Sequence, residues 1–178
     1  MVSETQPWGG GQGSPDSGSH GSLRRGVRMG VDVGTVRIGV ARSDNHALLA
    51  TPVETVPRDK RGTADLARLA VIIAELDAME VIVGLPLALS GNHTASTDDA
   101  VHFAEALAFT VAVPVRLVDE RLSTVSAQSV LRTAGRSTRT QRAVVDQVAA
   151  TIILQHALDS ERATGRPAGS LVHPTERP

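Results

Sequence analysis

The sequence predicts an α/β fold in which helices flank a mixed, partly parallel sheet. Three observations predict it: a β-hairpin pattern over residues 27–41, a short and wholly apolar strand core at residues 81–83, and helical spacing of apolar residues in later segments. With 178 residues, 41% of them apolar, the chain can form one domain with a core of ordinary size. We expect that domain to span residues 27–162, between a disordered Gly- and Ser-rich leader over residues 1–26 and a disordered tail over residues 163–178.

The first three strands are predicted to form an antiparallel meander. Apolar residues alternate along residues 27–33, residues 34–35 read as a turn, and apolar residues return over residues 38–41, which indicates a hairpin. Residues 48–56 add a third strand, and Pro52 within it indicates a sheet edge or a bulge.

The remaining elements are predicted to alternate helices and strands. The predicted order is a helix over residues 62–78, a strand over 80–83, a helix over 97–111, a strand over 115–118, a helix capped by Ser123 and ending near residue 133, and a last helix over 143–162. Strands joined by helices usually run parallel, so these elements extend the meander into a mixed sheet.

The composition excludes several kinds of site. The formal net charge is −1, so any nucleic-acid surface must be local. The absence of cysteine rules out disulfides and thiolate zinc sites and fits the cytoplasm, where we expect the protein to act without a membrane partner. With no Tyr and two Phe, the chain has almost no aromatic platform for stacking bases, so a nucleic acid would have to be held by its phosphates and shape.

Asp32 is an acidic residue inside an otherwise apolar strand. Burying an ionised carboxylate costs several kcal/mol unless a cation or hydrogen bonds offset it, so this residue is expected to have a use. We expect Gly34, two residues later, to leave space beside Asp32 where a metal or a phosphate oxygen could approach. The alternative is an ordinary hairpin with Asp32 solvated at a strand end.

Two further acidic positions are distinguished by their context. Glu120, with Asp119 beside it, follows a predicted strand at the sheet edge where α/β proteins bind ligands. Asp146 shares a helix face with an apolar stripe and lies near the predicted helix N-terminus, where the dipole would stabilise it. A cap or an ion-pair partner is the alternative for Asp146. Carboxylates that converge repel one another, so a divalent cation such as Mg²⁺ or Mn²⁺ would hold them together.

A basic segment precedes the last predicted helix. It contains four arginines with Ser and Thr between them: Arg132, Arg136, Arg139 and Arg142. Because it leads directly into the helix that carries Asp146, it could bind phosphates, although a solvated loop is the alternative. Arg121, beside Glu120, could steer a phosphate or neutralise the carboxylates.

Five motifs in order along the chain together resemble the YqgF family. They cover nearly the whole span from Met29 to Leu158: Asp32-Val33-Gly34-Thr35 with Arg37-Ile38-Gly39-Val40-Ala41, Ser43-Asp44, Val83-Gly84-Leu85-Pro86, Asp119-Glu120-Arg121-Leu122-Ser123-Thr124, and Asp146-Gln147-Val148-Ala149-Ala150 with Ile153-Leu154-Gln155. The family comprises Holliday junction resolvase-like or pre-16S rRNA nucleases with an RNase H-like fold. The resemblance therefore implies that fold for this chain.

The resemblance also implies a metal-dependent nuclease with Asp32, Glu120 and Asp146 as its acidic, catalytic site. We assign these three and Asp119 as ligands of Mg²⁺ or Mn²⁺. The residues expected to contact substrate are Thr35, Arg37, Arg121, Arg136, Arg139 and Arg142. The implied role is maturation of the 5′ end of the small-subunit rRNA precursor, so the expected partner is structured RNA.

Two departures from the family pattern and several alternatives accompany this assignment. Val36 stands where the family often has a basic residue. Many RNase H-like nucleases also carry an acid at the strand that ends here at residues 84–86. None is present, so Glu120, from the neighbouring strand, must take the role of that acid. A Holliday junction resolvase acting on four-way DNA is one alternative. A non-catalytic module that binds structured RNA or a ribosomal partner is another. Actin-like ATPases and sugar kinases also contain the Asp-x-Gly-Thr turn, but they need two such halves, and this chain is too short for both.

Overall fold

The structure, a computed structural model, describes residues 24–88, 90–120 and 139–174, with the backbone alone over residues 139–143. Within these ranges the elements are β1 Val27–Val33, β2 Arg37–Ser43, β3 Ala50–Pro57, α1 Ala64–Glu75, β4 Ala78–Leu85, α2 Ala95–Thr110, β5 Val115–Asp119, α3 Arg139–Thr164 and β6 Ser170–Leu171. They form a sheet with helices on both faces.

The sheet is mixed, as the sequence predicts. Its strand order is β3-β2-β1-β4-β5-β6. The first three strands form an antiparallel meander, β4 and β5 run parallel to β1, and β6 returns antiparallel beside β5. This arrangement confirms the predicted α/β class, with a three-strand meander followed by alternating helices and strands. It also places β1 in the interior of the sheet, with a hydrogen-bonded strand on each side.

The two faces of the sheet pack against different helices. Side chains such as Val31, Ile38 and Val83 form one buried cluster with residues of α1 and α2. A second cluster, on the opposite face, includes Leu154 of α3. Successive residues of a strand point to opposite faces. Asp32, which follows Val31, therefore faces α3.

β3 forms one edge of the sheet and contains a bulge, as Pro52 predicts. Val40 of β2 pairs with Glu54, but the next residue, Ala41, pairs with Pro52, so one residue of β3 is skipped. Proline lacks the N–H that an interior strand would need, and an edge position with a bulge accommodates it.

α2 begins earlier than the predicted residue 97 because Thr94 is its N-cap. The Thr94 side chain accepts a hydrogen bond from the Thr97 N–H, and the Thr97 hydroxyl accepts one from the Thr94 N–H. This reciprocal pair is a capping box. The Thr97 hydroxyl also donates to the carbonyl oxygen of Pro86, which connects the start of α2 to the end of β4.

α3 is longer than the predicted helix over residues 143–162. It begins at Arg139, so residues 139–142, predicted as part of a basic loop, are helical. The rest of that loop, and the helix predicted from Ser123, lie outside the described residues. In the part of the chain that the structure describes, no helix is long and apolar enough to cross a membrane.

The ends of the described chain are more ordered than the sequence predicts. Within the predicted tail over residues 163–178, Ala168 is buried and Ser170–Leu171 pairs with β5. Two residues are too few to show a strand pattern, and the pairing is supplied by a strand that is distant in sequence. Arg24, in the predicted leader, forms ion pairs with two buried glutamates. The leader's residues 1–23 lie outside the described residues.

Candidate active site

Asp32 lies near the end of β1, on the sheet face that α3 covers. Its register partner on β2 is Gly39. On the other side, Val31 pairs with Val83 of β4, and Gly84 follows Val83. Asp32 is therefore flanked by a glycine on each neighbouring strand. Because glycine has no side chain, the surface beside Asp32 is open to atoms from other elements.

Asp146 of α3 lies directly over Gly39. A Cβ atom on Gly39 would overlap the carbonyl oxygen of Asp146 and lie 3.1 Å from the amide nitrogen of Gln147. The backbone of α3 thus rests on β2 at this point. Since Gly39 is the register partner of Asp32, this contact brings Asp146 close to Asp32.

Glu120 follows β5, and its carboxylate lies over Gly84. A Cβ atom on Gly84 would overlap Oε1 of Glu120 and come 2.7 Å from Cδ1 of Ile153. The Glu120 side chain therefore reaches from β5 across β4, toward Asp32. In this way the structure brings Asp32, Glu120 and Asp146 to the same side of the sheet, from three elements that are far apart in sequence.

Gly34 lies in the hairpin turn, as predicted, but only one of its two predicted roles is observed. A Cβ atom on Gly34 would lie 2.6 Å from the carbonyl oxygen of Arg37, and the Gly34 N–H donates to that oxygen at 2.9 Å. Gly34 therefore closes the tight hairpin turn. The expectation that it leaves space beside Asp32 is wrong, because Gly39 and Gly84 provide that space.

Asp146 forms an ion pair with Arg37, the first residue of β2. The Arg37 Nε donates to Oδ2 of Asp146 at 2.6 Å, and both side chains are half-buried. The predicted stabilisation of Asp146 by the helix dipole is wrong, because α3 begins at Arg139 and the dipole's effect falls off within the first turn. The alternative of an ion-pair partner describes the observed contact.

Two of the acidic residues have raised pKa values. Burial raises the pKa of Asp32 to about 6, with a further contribution from the negative charge of Asp146. Burial also raises the pKa of Glu120 to about 7, and the charges of Asp32 and Asp119 add to the effect. Carboxyl groups with few water contacts that repel one another hold their protons unless a cation offsets their charge. The electrostatics of this face therefore favour a bound cation.

The carboxylate oxygens match the ligands that Mg²⁺ and Mn²⁺ prefer. Among the residues that the structure describes, however, no group of three His, Asp or Glu side chains is close enough to hold one ion. One oxygen of Asp146 is engaged by Arg37. For Asp146 to join Asp32 and Glu120 around one ion, these side chains would have to lie closer together than the structure places them.

The predicted substrate-binding residues are described in part. Thr35 is exposed at the tip of the hairpin turn, between Asp32 and Arg37, at the same end of the sheet as the acidic residues. Arg139 and Arg142 lie at the start of α3, and their side chains are not described. Arg121 and Arg136 lie outside the described residues.

The roles of Gly39 and Gly84 were not predicted from the sequence. A glycine inside a strand often marks a close approach of other atoms, and both lie in otherwise apolar strands, so a signal was present. It could not be interpreted, because the approaching groups come from α3 and from the end of β5, which are distant in sequence.

Comparison with known proteins identifies the family. The family model described as "RuvX: Holliday junction resolvase" matches residues 26–160. The chain belongs to the RuvX family. RuvX is also called YqgF, so the resemblance seen in the motifs is confirmed.

Relatives of this RuvX-family chain are closely similar over most of their length. It is 65% identical over 152 residues to a Leifsonia xyli subsp. xyli protein named as a pre-16S rRNA nuclease, a match covering 85% of this chain and 97% of that protein. A Clavibacter michiganensis subsp. michiganensis protein of the same name is 63% identical over 150 residues, covering 84% and 93%. Among solved structures, T. thermophilus RuvC in complex with a Holliday junction substrate has a TM-score of 0.49 and 20% identity, covering 79% of this chain and 98% of that chain.

Proposed function

We propose that this RuvX-family protein is a metal-dependent nuclease that hydrolyses phosphodiester bonds in structured RNA, acting in the cytoplasm on the 5′ end of precursor 16S rRNA. One observation carries the proposal. Glycines on both strands beside Asp32 allow Glu120 and Asp146, from two other elements, to share its face of the sheet. Relatives that are 63% and 65% identical and are named as pre-16S rRNA nucleases support the substrate.

The acidic residues would hold the cation. Asp32, Glu120 and Asp146 would coordinate Mg²⁺ or Mn²⁺. Asp119, predicted as a further ligand, follows Val118 of the cluster that packs on α3, so strand alternation directs it to the other face of the sheet. Such an ion supplies Lewis-acid polarisation of the phosphate and charge that offsets the carboxylates. The raised pKa values of Asp32 and Glu120 support this role, because they result from burial and, to a smaller extent, from the negative charge of neighbouring carboxylates.

The basic residues would hold the substrate's phosphates. The Arg37 guanidinium lies beside Asp146, and its planar donors suit phosphate oxygens. Thr35 adds a donor at the exposed hairpin tip. Further positive charge would come from Arg139 and Arg142 at the start of α3, and from Arg121 and Arg136. Recognition through phosphates also fits a chain with two Phe, one Trp and no Tyr.

Resolution of a four-way DNA junction is the second candidate, and the match to the RuvX family of Holliday junction resolvases favours it. Resolving a junction requires two coupled active sites and hence a dimer. Trimming an RNA end can be done by one active site. The two candidates therefore differ in their substrate and in the oligomeric state they need.

The test offers the full-length protein both substrates. Precursor 16S rRNA and a four-way DNA junction are each incubated with Mg²⁺, Mn²⁺ or chelator. We expect metal-dependent cleavage at the 5′ end of the RNA, reduced about a thousandfold or more by Asp32→Asn. Asp159→Asn is the control, because Asp159 is 53% exposed and pairs with Arg162 on the surface. Its activity should stay within about twofold of the wild type.

Each contrary result has a distinct meaning. Cleavage of the junction alone would overturn the RNA substrate. An Asp32→Asn protein as active as the wild type would show that the active site lies elsewhere. A folded wild-type protein that binds RNA but cuts neither substrate with any metal would be a binding module.

A further inference from the structure

Arg58 lies beside the hairpin turn that connects Asp32 to Arg37. It directly follows β3, and its side chain is only 4% exposed. A guanidinium this deeply buried must be offset by several partners. We propose that Arg58 is a positioning residue of the nuclease site, holding the turn over residues 34–36 in the orientation that contacts a substrate phosphate. This inference rests on the proposed function.

Two hydrogen bonds connect Arg58 to the turn. Its backbone N–H donates to the carbonyl oxygen of Val36 at 2.9 Å. Its Nη1 donates to the carbonyl oxygen of Gly34 at 3.2 Å. These two carbonyl groups lie on either side of Thr35, the exposed residue at the tip. A single residue therefore holds the turn at both ends.

The other contacts of Arg58 hold its side chain in place. Nη1 and Nη2 donate to the two carboxylate oxygens of Asp99 at 3.1 and 2.9 Å, and Nε lies 3.3 Å from Oδ2 of Asp65. The guanidinium also lies over the ring of Phe103, 4.6 Å from its centroid. Asp65 belongs to α1, and the other two belong to α2. Arg58 thus connects the turn to both helices.

The bond to Gly34 determines where the next N–H group points. The C=O and N–H groups of a trans peptide point in opposite directions. The Gly34 carbonyl is directed to Arg58, on the α1 and α2 side of the sheet. The Thr35 N–H must therefore point away from that side, toward the face that carries Asp32. Backbone N–H groups are common phosphate ligands in nucleic-acid complexes.

Arg58→Lys is the first test. Lysine keeps the charge but lacks the planar fork that contacts Gly34 and Asp99 together. We expect KM for the precursor RNA to rise about tenfold while kcat changes by less than about threefold. The reason is that the Thr35 N–H, which donates a hydrogen bond to the substrate phosphate, is misplaced, whereas the acidic residues are not. Arg68→Lys is the matched control, since Arg68 on α1 forms a two-point pair with Glu54. Its KM should stay within about twofold.

Asp99→Asn tests the same connection with a milder change. It removes the charge that holds the Arg58 guanidinium, while leaving an oxygen that can accept a hydrogen bond. The matched control is Asp98→Asn, because Asp98 is the preceding residue of α2, is 61% exposed and has its ion-pair contact with His93 at 3.5 Å. We expect faster amide hydrogen exchange at residues 34–36 in the Asp99→Asn protein and no change in the control.

The readouts separate this inference from the proposed function. If Arg58→Lys and Asp99→Asn lower stability but leave KM and the amide exchange of the turn unchanged, Arg58 is only a structural residue and the inference is wrong. A wild-type protein that cleaves no substrate would overturn the proposed function. In that case the exchange at residues 34–36 remains measurable, and an unchanged rate would still overturn the role of Arg58.

Discussion

Asp32 lies on β1 between two strands, β2 and β4, that each have a glycine beside it, and its carboxyl group is close to Asp146. Burial, together with the charge of Asp146, raises its pKa from 3.8 to about 6. Between these two values the folded protein holds a proton that the unfolded chain has released. The stability of the metal-free protein should therefore fall as the pH rises through this interval, and the loss is complete above it.

Asp32→Asn should stabilise the protein in chelator at pH 8 by about 2 kcal/mol, because the amide carries no charge to bury. The gain should become small near pH 4, where the folded carboxyl group is protonated and the unfolded one is only partly ionised. Urea denaturation at pH 4, 6 and 8 measures the effect. Asp98→Asn, which changes a side chain that is 61% exposed, is the control and should show no such pH dependence. Parallel pH profiles for the wild type and Asp32→Asn would contradict the environment assigned to Asp32.

At the scale of elements, the docking of α3 depends on strand glycines. A Cβ atom on Gly30 would lie 2.7 Å from Cβ of Leu154 and 2.9 Å from the carbonyl oxygen of Ala150. A Cβ atom on Gly39 would overlap the carbonyl oxygen of Asp146. The helix backbone can approach the sheet this closely only because both strand residues lack side chains. The same approach places Asp146 within reach of Arg37.

Gly39→Ala should separate α3 from β2 at the site. The new methyl group meets helix backbone, which cannot move aside alone, so we expect a loss of about 3 kcal/mol in the free energy of unfolding. Nuclease activity per folded molecule should also fall about a hundredfold, because Asp146 is displaced. Urea denaturation and kcat measured below the unfolding transition give the two quantities.

Gly30→Ala is the matched comparison for this prediction. It adds the same methyl group against the same helix, but beside Ala150 and Leu154 rather than Asp146. It should lower stability while leaving most of the activity per folded molecule. Equal losses of activity in both variants would mean that general displacement of α3, and not the position of Asp146, controls catalysis.

At the scale of the whole molecule, α3 connects the acidic face to a buried ion-pair network at the other end of the sheet. Glu161, near the end of α3, accepts hydrogen bonds from Arg24 Nε at 2.8 Å and Arg28 Nη2 at 3.1 Å. Arg24 Nη2 also donates to Glu80 of β4 at 2.8 Å, and Arg116 Nε of β5 donates to Glu80 at 2.7 Å. The network therefore joins the chain before β1, three strands and the last helix.

Glu161→Gln should lower the free energy of unfolding at pH 7 by about 3 kcal/mol, because the buried Arg28 loses its charged partner. Burial raises the pKa of Glu161, but the hydrogen bonds and charges of Arg24 and Arg28 outweigh it and hold the pKa below 4.5. The stabilisation is therefore present above pH 4.5 and is lost as the pH falls through the lower, folded value. Urea denaturation curves of wild type and variant should converge in acid.

Glu75→Gln provides the control for this prediction. Glu75 is 61% exposed and lies 3.8 Å from Arg68, so its substitution should cost less than about 0.5 kcal/mol. If Glu161→Gln proves equally harmless at pH 7, the network does not stabilise the fold.

The sequence by itself determined the order and type of most elements and singled out Asp32, Glu120 and Asp146. The period of apolar residues and an acid within an apolar strand are local features that can be read from neighbouring residues. The two-residue strand β6 was missed, because it has no period of its own and depends on β5 for its hydrogen bonds.

Only the tertiary structure decided how the site is built. It showed that Gly39 and Gly84 leave room for the other acidic residues. It also paired Arg37 with Asp146 and Arg58 with the turn. Each of these contacts joins residues that are far apart in the sequence. Their geometry follows from how the helices and strands pack, which no local pattern of residues specifies.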